Sequence, residues 1–119
     1  MYIMVELNPT IIAVTEELSR NAQNILGDRL RRIILYGSYA RGDYKEYSDL
    51  DIMVLADFNE ADEKTFERRL GIVSSRASLE HDITVSVMLN DENLFMNRLH
   101  ISPFYRNVLL EGVEIYATR

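Results

Sequence analysis

The sequence predicts an α/β or α+β fold, in which helices flank a single mixed β-sheet. Amphipathic helical patterns alternate along the chain with short apolar runs that are typical of buried strands. The 119 residues are enough for one ordinary domain, and no linker, repeat or low-complexity tract divides them. We therefore expect a single domain over residues 1–119.

Apolar residues at three- and four-residue spacing predict the helices. The first should run over residues 9–26, with Asn8 as its N-cap and Pro9 in its first turn. A second, over residues 60–79, opens with acidic residues that suit the positive end of a helix dipole. Two short helices are predicted over residues 91–98 and 103–111.

Apolar runs and polar–apolar alternation predict the strands over residues 32–36, 50–56, 82–87 and 113–116. Between the first two strands lies a polar stretch with two glycines, over residues 37–48. This stretch should be a loop with one helical turn after Ser38.

Composition excludes several classes of function. The chain has no cysteine, which removes disulfides, thiolate metal sites and cysteine nucleophiles. No apolar stretch approaches the roughly 20 residues that span a bilayer, and the first ten residues do not form a signal peptide, so a cytoplasmic protein is expected. The net charge is −6 and the basic residues are scattered, so stable binding of polymeric nucleic acid is not expected.

Two short motifs could carry chemistry together. Gly37-Ser38 ends the first predicted strand, where glycine lets backbone amides approach an anion and the serine hydroxyl can donate to it. Asp49 and Asp51 open the next strand two residues apart, so that both carboxylates point to one face and suit a hard cation such as Mg²⁺. Either motif alone is more often a tight turn or a solvated strand edge.

Asp82 is the candidate for a third carboxylate. It begins the third predicted strand on the polar face of that strand. If this strand lies beside the second one, three carboxylates meet at one end of the sheet. They could then hold two Mg²⁺ ions about 4 Å apart for an in-line phosphoryl displacement.

The segment from Gly37 to Asp51 resembles the signature of the DNA polymerase β-like nucleotidyltransferase superfamily: Gly-Ser, ten residues, then Asp-X-Asp. Its Ala40-Arg41-Gly42 core and its Ser48-Asp49-Leu50-Asp51 ending are similar to the small prokaryotic minimal nucleotidyltransferases. The resemblance extends over about residues 33–116, and it implies the polymerase β-like nucleotidyltransferase fold.

The resemblance also implies roles for single residues. Gly37 and Ser38 would form the triphosphate-binding turn, with Arg41 near the phosphates. Asp49, Asp51 and Asp82 would be the catalytic metal ligands for Mg²⁺, and ATP would be the substrate. No residue clearly reads the base.

Small proteins of this branch resemble the antitoxin half of toxin–antitoxin pairs whose partner is an all-helical HEPN toxin. The implied reaction is transfer of AMP from ATP to a tyrosine of that toxin. Two alternatives stay open: an adenylyltransferase for a small hydroxylated molecule, and a non-catalytic module that neutralises a partner by covering it. A chain this short is expected to need a partner or a homo-oligomer to present the acceptor.

Overall fold

The computed structural model describes residues 9–118 of the chain. Asn8 as the predicted N-cap and the absence of a signal peptide fall on residues 1–8, outside the described residues. The helices are α1 Pro9–Leu26, α2 Ser38–Arg41, α3 Glu60–His81, α4 Glu92–Asn97 and α5 Pro103–Glu111. The strands are β1 Leu30–Tyr36, β2 Leu50–Ala56, β3 Val85–Asp91 and β4 Val113–Ala117.

The four strands form one mixed sheet in the order β3-β2-β1-β4. Strand β1 is antiparallel to both β2 and β4, whereas β2 and β3 are parallel. The parallel pair is joined through α3, which is the crossover that a parallel connection requires. The predicted class, a single mixed sheet flanked by helices, is confirmed.

The larger core lies between one face of the sheet and the helices α1 and α3. Alternate residues of β2 point into this core because successive side chains of a strand point to opposite faces. Asn59 caps α3, where its side-chain oxygen accepts a hydrogen bond from the backbone N–H of Asp62 at 3.1 Å. The packing of α1 and α3 against this face of the sheet fixes the position of β2, which carries Asp51.

A smaller core lies on the opposite face of the sheet, under α4 and α5. Phe95 of α4 is fully buried there, and its ring stacks on that of Tyr105 with 4.6 Å between the centroids. Val108 of α5 packs in the same cluster with Met53 and Leu55 of β2. Because Asp51 shares strand parity with Met53 and Leu55, its side chain lies on this second face.

Phe95→Ala is expected to lower the free energy of unfolding by about 3–4 kcal/mol, since it empties the centre of this smaller core. The neighbouring variant Met96→Ala should change it by less than about 1 kcal/mol, because Met96 is 44% exposed. Urea unfolding of both variants measures the difference. Equal losses in the two variants would show that Phe95 does not anchor α4.

Two predicted boundaries of the secondary structure are wrong in ways that bear on the site. Helix α3 continues to His81 and is followed by Asp82 at φ 53° and ψ 46°, so that the third strand begins at Val85 and not at Asp82.

The helical turn predicted after Ser38 is confirmed as α2. Within residues 9–118, no helix is long and apolar enough to cross a membrane.

Candidate active site

Gly37 joins the end of β1 to α2 in a backbone conformation that only glycine adopts readily. Its φ is 77° and its ψ is −158°. A Cβ atom at this position would overlap the Oδ2 atom of Asp51. Glycine is therefore required here for two reasons, the backbone torsions and the close approach of a carboxylate.

The single-turn helix α2 starts directly after this glycine. The backbone N–H groups of Ala40 and Arg41 both donate to the carbonyl of Gly37 at 3.1 Å. The N–H groups of the first two residues, Ser38 and Tyr39, have no acceptor within such a turn and point out of its N-terminus. The half-buried Ser38 thus stands beside free backbone donors, next to the carboxylate of Asp51.

One ring contact to α2 and one internal hydrogen bond order the loop from α2 to β2, and Asp49 stands at its end, directly before β2. Near its beginning, the ring of Tyr44 stacks on the buried ring of Tyr39 with 4.3 Å between the centroids. Near its end, the Ser48 hydroxyl accepts a hydrogen bond from the Lys45 N–H at 2.8 Å. Asp49 follows directly and is exposed.

Asp51 lies in a row of three side chains across three strands. It pairs with Tyr36 of β1 on one side and with Ser86 of β3 on the other. Directly paired residues of adjacent strands point to the same face. The half-buried Asp51 carboxylate therefore faces α5 between a phenol and a serine hydroxyl.

The row formed by Tyr36, Asp51 and Ser86 carries excess negative charge. The pKa of Asp51 is raised above its ordinary value of 3.8, first by burial and then by the charge of Asp49, while Arg41 opposes the shift. Burial, together with the charge of Asp51, raises the pKa of Tyr36 to about 12. Two carboxylates that each disfavour ionisation of a neighbouring group are suited to a cation.

In the metal-free protein, Asp51→Asn is expected to raise the melting temperature at pH 7 by on the order of 2 °C. The pKa of this carboxyl is higher in the folded state than in the unfolded state, so stability is lost as pH rises through the folded value. Asparagine does not ionise, so the variant keeps this stability. The difference in melting temperature between the variant and the unaltered protein should vanish below pH 3.8, where Asp51 is protonated in the folded and the unfolded states.

Calorimetry in EDTA, from low pH to pH 7, measures this effect. Glu46→Gln is the matched control, since Glu46 is an exposed carboxylate in the neighbouring loop. A melting temperature that Asp51→Asn lowers at pH 7 would show that the carboxylate stabilises the fold.

The guanidinium of Arg41 bridges α2 to α5. Its Nε atom lies 3.2 Å from the Asp43 carboxylate, and a terminal nitrogen lies 3.6 Å from that of Glu111. All three side chains are substantially exposed, so these pairs contribute little to stability. Arg41 thus lies at the rim of the site, close enough to Asp51 to lower the pKa of that carboxyl.

Asp82, the predicted third ligand, lies elsewhere. It follows α3 as an exposed residue and lines a different pocket, with Tyr47, Ser48 and Thr84. All three aspartates are described, and their carboxylates do not form a group within 4.8 Å of one another. The residue that β3 brings opposite Asp51 is Ser86, a neutral hydroxyl.

The donor set fits Mg²⁺, which takes oxygen ligands and is commonly held by one or two carboxylates together with substrate phosphates. Asp49 and Asp51 could supply the two carboxylates, and the turn at Gly37-Ser38 could supply donors for phosphate oxygens beside them. The helix α5 forms the opposite wall of the cleft, which sequence patterns did not indicate.

Comparison with known proteins agrees with this geometry. The sequence profile of the nucleotidyltransferase domain family matches residues 14–114. The chain therefore belongs to this family and is an enzyme of the nucleotidyltransferase class. A relative from Methanocaldococcus jannaschii, named "Putative protein adenylyltransferase MJ0141", is 39% identical over 79 residues, which are 66% of this chain and 78% of the relative.

Solved structures share the fold at low sequence identity. A crystal structure of a toxin-antitoxin with AMP-PNP covers 88% of this chain and 74% of the matched chain, at 18% identity and a TM-score of 0.54. A structure of a tri-AMPylated HEPN toxin of Shewanella oneidensis in complex with MNT antitoxin covers 91% and 73%, at 16% identity and a TM-score of 0.52. These matches support the predicted nucleotidyltransferase fold.

Proposed function

We propose that this protein transfers AMP from ATP to a hydroxyl group of a partner protein, a tyrosine of an all-helical HEPN toxin. In this proposal it acts in the cytoplasm as the antitoxin of the pair. The observation that carries the proposal is the close packing of the Asp51 carboxylate against Gly37, with Asp49 beside it. This packing supports a site in which a carboxylate that would bind the metal lies against a turn that would bind phosphate.

The proposed reaction is an in-line displacement at the α-phosphorus of ATP. The hydroxyl oxygen of the acceptor forms a bond to that phosphorus, the bond to the bridging oxygen breaks, and pyrophosphate leaves while the hydroxyl proton is released to water. Asp49 and Asp51 would hold Mg²⁺, which neutralises charge that develops on the phosphate oxygens. The backbone N–H groups at Ser38 would bind the leaving phosphates, with Arg41 at the rim.

A protein acceptor is favoured over a small molecule by the surface around the cleft. Helices α4 and α5 and the loop between them expose large apolar side chains: Leu94 at 53%, Ile101 at 67% and Leu110 at 81%. Exposed apolar side chains on neighbouring elements of one face offer a surface that another protein could cover. The name of the Methanocaldococcus jannaschii relative and the AMPylated toxin in the Shewanella oneidensis complex support the same acceptor class.

The test is label transfer in the presence of Mg²⁺ from ATP labelled at either the α- or the γ-phosphate. The acceptor offered is the product of the gene adjacent to the gene for this chain. We expect label on the acceptor from α-labelled ATP alone, and its loss when EDTA is added. Label from γ-labelled ATP would indicate phosphoryl transfer instead.

Absence of label with a stable complex would leave the chain as a binding module. Label that appears only on an added small hydroxylated molecule would move the acceptor class to small molecules. Either outcome would contradict protein adenylylation.

A further inference from the structure

The wall that α5 forms in the candidate active site has no role in the proposed reaction. A pocket of about 280 Å³ opens between α2 and α5, beside the Asp51 carboxylate. One side is formed by residues of the proposed catalytic site, namely Gly37, Arg41 and Asp51. The other side is formed by α5 with Phe104, Asn107 and Glu111.

The α5 side presents one face of a helix. Phe104, Asn107, Val108 and Glu111 follow the spacing i, i+3, i+4 and i+7, which places them in one stripe. Buried Val108 fixes this stripe against the sheet, and Phe104 stays 42% exposed. The ring of Phe104 meets that of Tyr36 edge-on, with 5.6 Å between the centroids. The pocket thus has a firmly seated aromatic wall.

The α5 wall of the pocket has no cation of its own that could bind a phosphate. The charged groups that line the pocket are Asp51, Glu111 and Arg41, and the cation among them is already paired with Glu111 at 3.6 Å. Mg²⁺ on Asp51 would offset the charge on the Gly37 side, where the triphosphate is proposed to bind. On the α5 side the acidic Glu111 disfavours phosphate, whereas a neutral ring with amino donors meets no repulsion there.

The direction of the displacement indicates which ligand, the nucleoside of ATP or the acceptor, can occupy the pocket. In an in-line reaction the attacking hydroxyl lies opposite the leaving pyrophosphate. The pocket is bounded by Gly37 and Arg41, which are the residues on the pyrophosphate side. The acceptor must therefore approach from elsewhere, while the nucleoside, bonded to the α-phosphate, can extend into this pocket.

Asn107 has the hydrogen-bonding groups to read a base. Its carboxamide has a donating NH₂ group beside an accepting oxygen, and this side chain makes no hydrogen bond with any residue between 9 and 118. Adenine presents an amino donor beside a ring-nitrogen acceptor, which an asparagine pairs with through two hydrogen bonds. Guanine presents two acceptors at the corresponding edge and cannot form that pair.

We propose that this pocket binds the adenine of ATP, with Phe104 as its stacking surface and Asn107 as the residue that selects adenine. The proposal rests on the nucleotidyl transfer proposed above and adds the residues that determine which nucleotide is used. Such aromatic stacking contributes about 1–3 kcal/mol per base in other nucleotide-binding proteins, which is roughly five- to 150-fold in affinity.

The test is equilibrium dialysis of the whole protein with Mg²⁺ and ATP, GTP, CTP or UTP, and with inorganic tripolyphosphate. Asn107→Leu should weaken ATP binding about tenfold and bring the ATP and GTP affinities close together. Phe104→Ala should weaken all four nucleotides about tenfold. Tripolyphosphate should bind both variants as it binds the unaltered protein, because it reaches only the metal and the phosphate turn.

Leu79→Ala and Asn97→Leu are the matched controls, since both residues are exposed and neither lines the pocket. Equal affinities of the unaltered protein for ATP and tripolyphosphate would overturn the base pocket and leave the metal–phosphate site standing. Unchanged nucleotide preference in Asn107→Leu would also overturn it. Failure of every ligand to bind would overturn the proposed function as well.

Discussion

Asp49→Asn is expected to lower the rate of adenylyl transfer by on the order of 1,000-fold or more. Asparagine keeps the shape of the side chain and removes the charge that would hold Mg²⁺, and metal stabilisation of transition-state charge is worth several kcal/mol. Asp49 is exposed and precedes β2, so the fold should not change. Initial rates of label transfer from α-labelled ATP measure the loss.

Asp57→Asn provides the matched control for this variant. Asp57 is also exposed and directly follows β2 at its other end, so the same change of charge is made away from the proposed metal site. Its rate should stay within about twofold of the unaltered protein. An Asp49→Asn rate within about threefold of the unaltered protein would mean that Asp49 is not a metal ligand.

Gly37→Ala is expected to have the second-largest effect, because it acts on stability and on the reaction together. The backbone torsions of Gly37 belong to a region used almost only by glycine, which costs alanine about 3 kcal/mol. The added methyl group would also overlap Asp51 Oδ2 and displace this carboxylate. We expect transfer to fall by on the order of 100-fold, since a small displacement of a positioned group costs about that much.

Gly27→Ala separates the effect of the backbone torsions on stability from the effect of the Asp51 contact on the transfer rate. Gly27 also has a positive φ, of 54°, but an added Cβ would meet no atom within 4 Å. It should lose about 1 kcal/mol of stability and keep its full transfer rate. Urea unfolding and label transfer below the unfolding transition measure both quantities. A fully active Gly37→Ala protein would show that the Gly37–Asp51 contact has no part in the site.

Local sequence patterns predicted much of the fold because its elements are short-range features. The spacing of apolar residues placed α1, and Pro103 with Gly112 bracketed α5 within the bounds that the structure has. The glycine turn was also predictable, and strand parity predicted that Asp49 and Asp51 share one face. In the structure Asp51 lies in β2 and Asp49 directly precedes the strand, where its charge raises the pKa of Asp51. Which face α5 covers is a tertiary property, so the pocket wall was not predicted.

The error at Asp82 has a physical cause. Asp82, Thr84 and Ser86 have the same parity, so a strand that starts at any of them shows the same alternation. The parallel register with β2 decides among them, and it pairs Ser86 with Asp51. The helix ends later than predicted because aspartate tolerates the left-handed backbone that stops it. Register is set by pairing between strands and not by the local pattern.

The central claim is that Asp49 and Asp51 catalyse adenylyl transfer to a protein hydroxyl. The most direct measurement is the intact mass and peptide map of the product of the adjacent gene, after incubation with this protein, ATP and Mg²⁺. The prediction is one or more AMP adducts on hydroxyl side chains with the unaltered protein, and none with Asp49→Asn. An unmodified partner in a stable complex, or adducts that persist with Asp49→Asn, would contradict the claim.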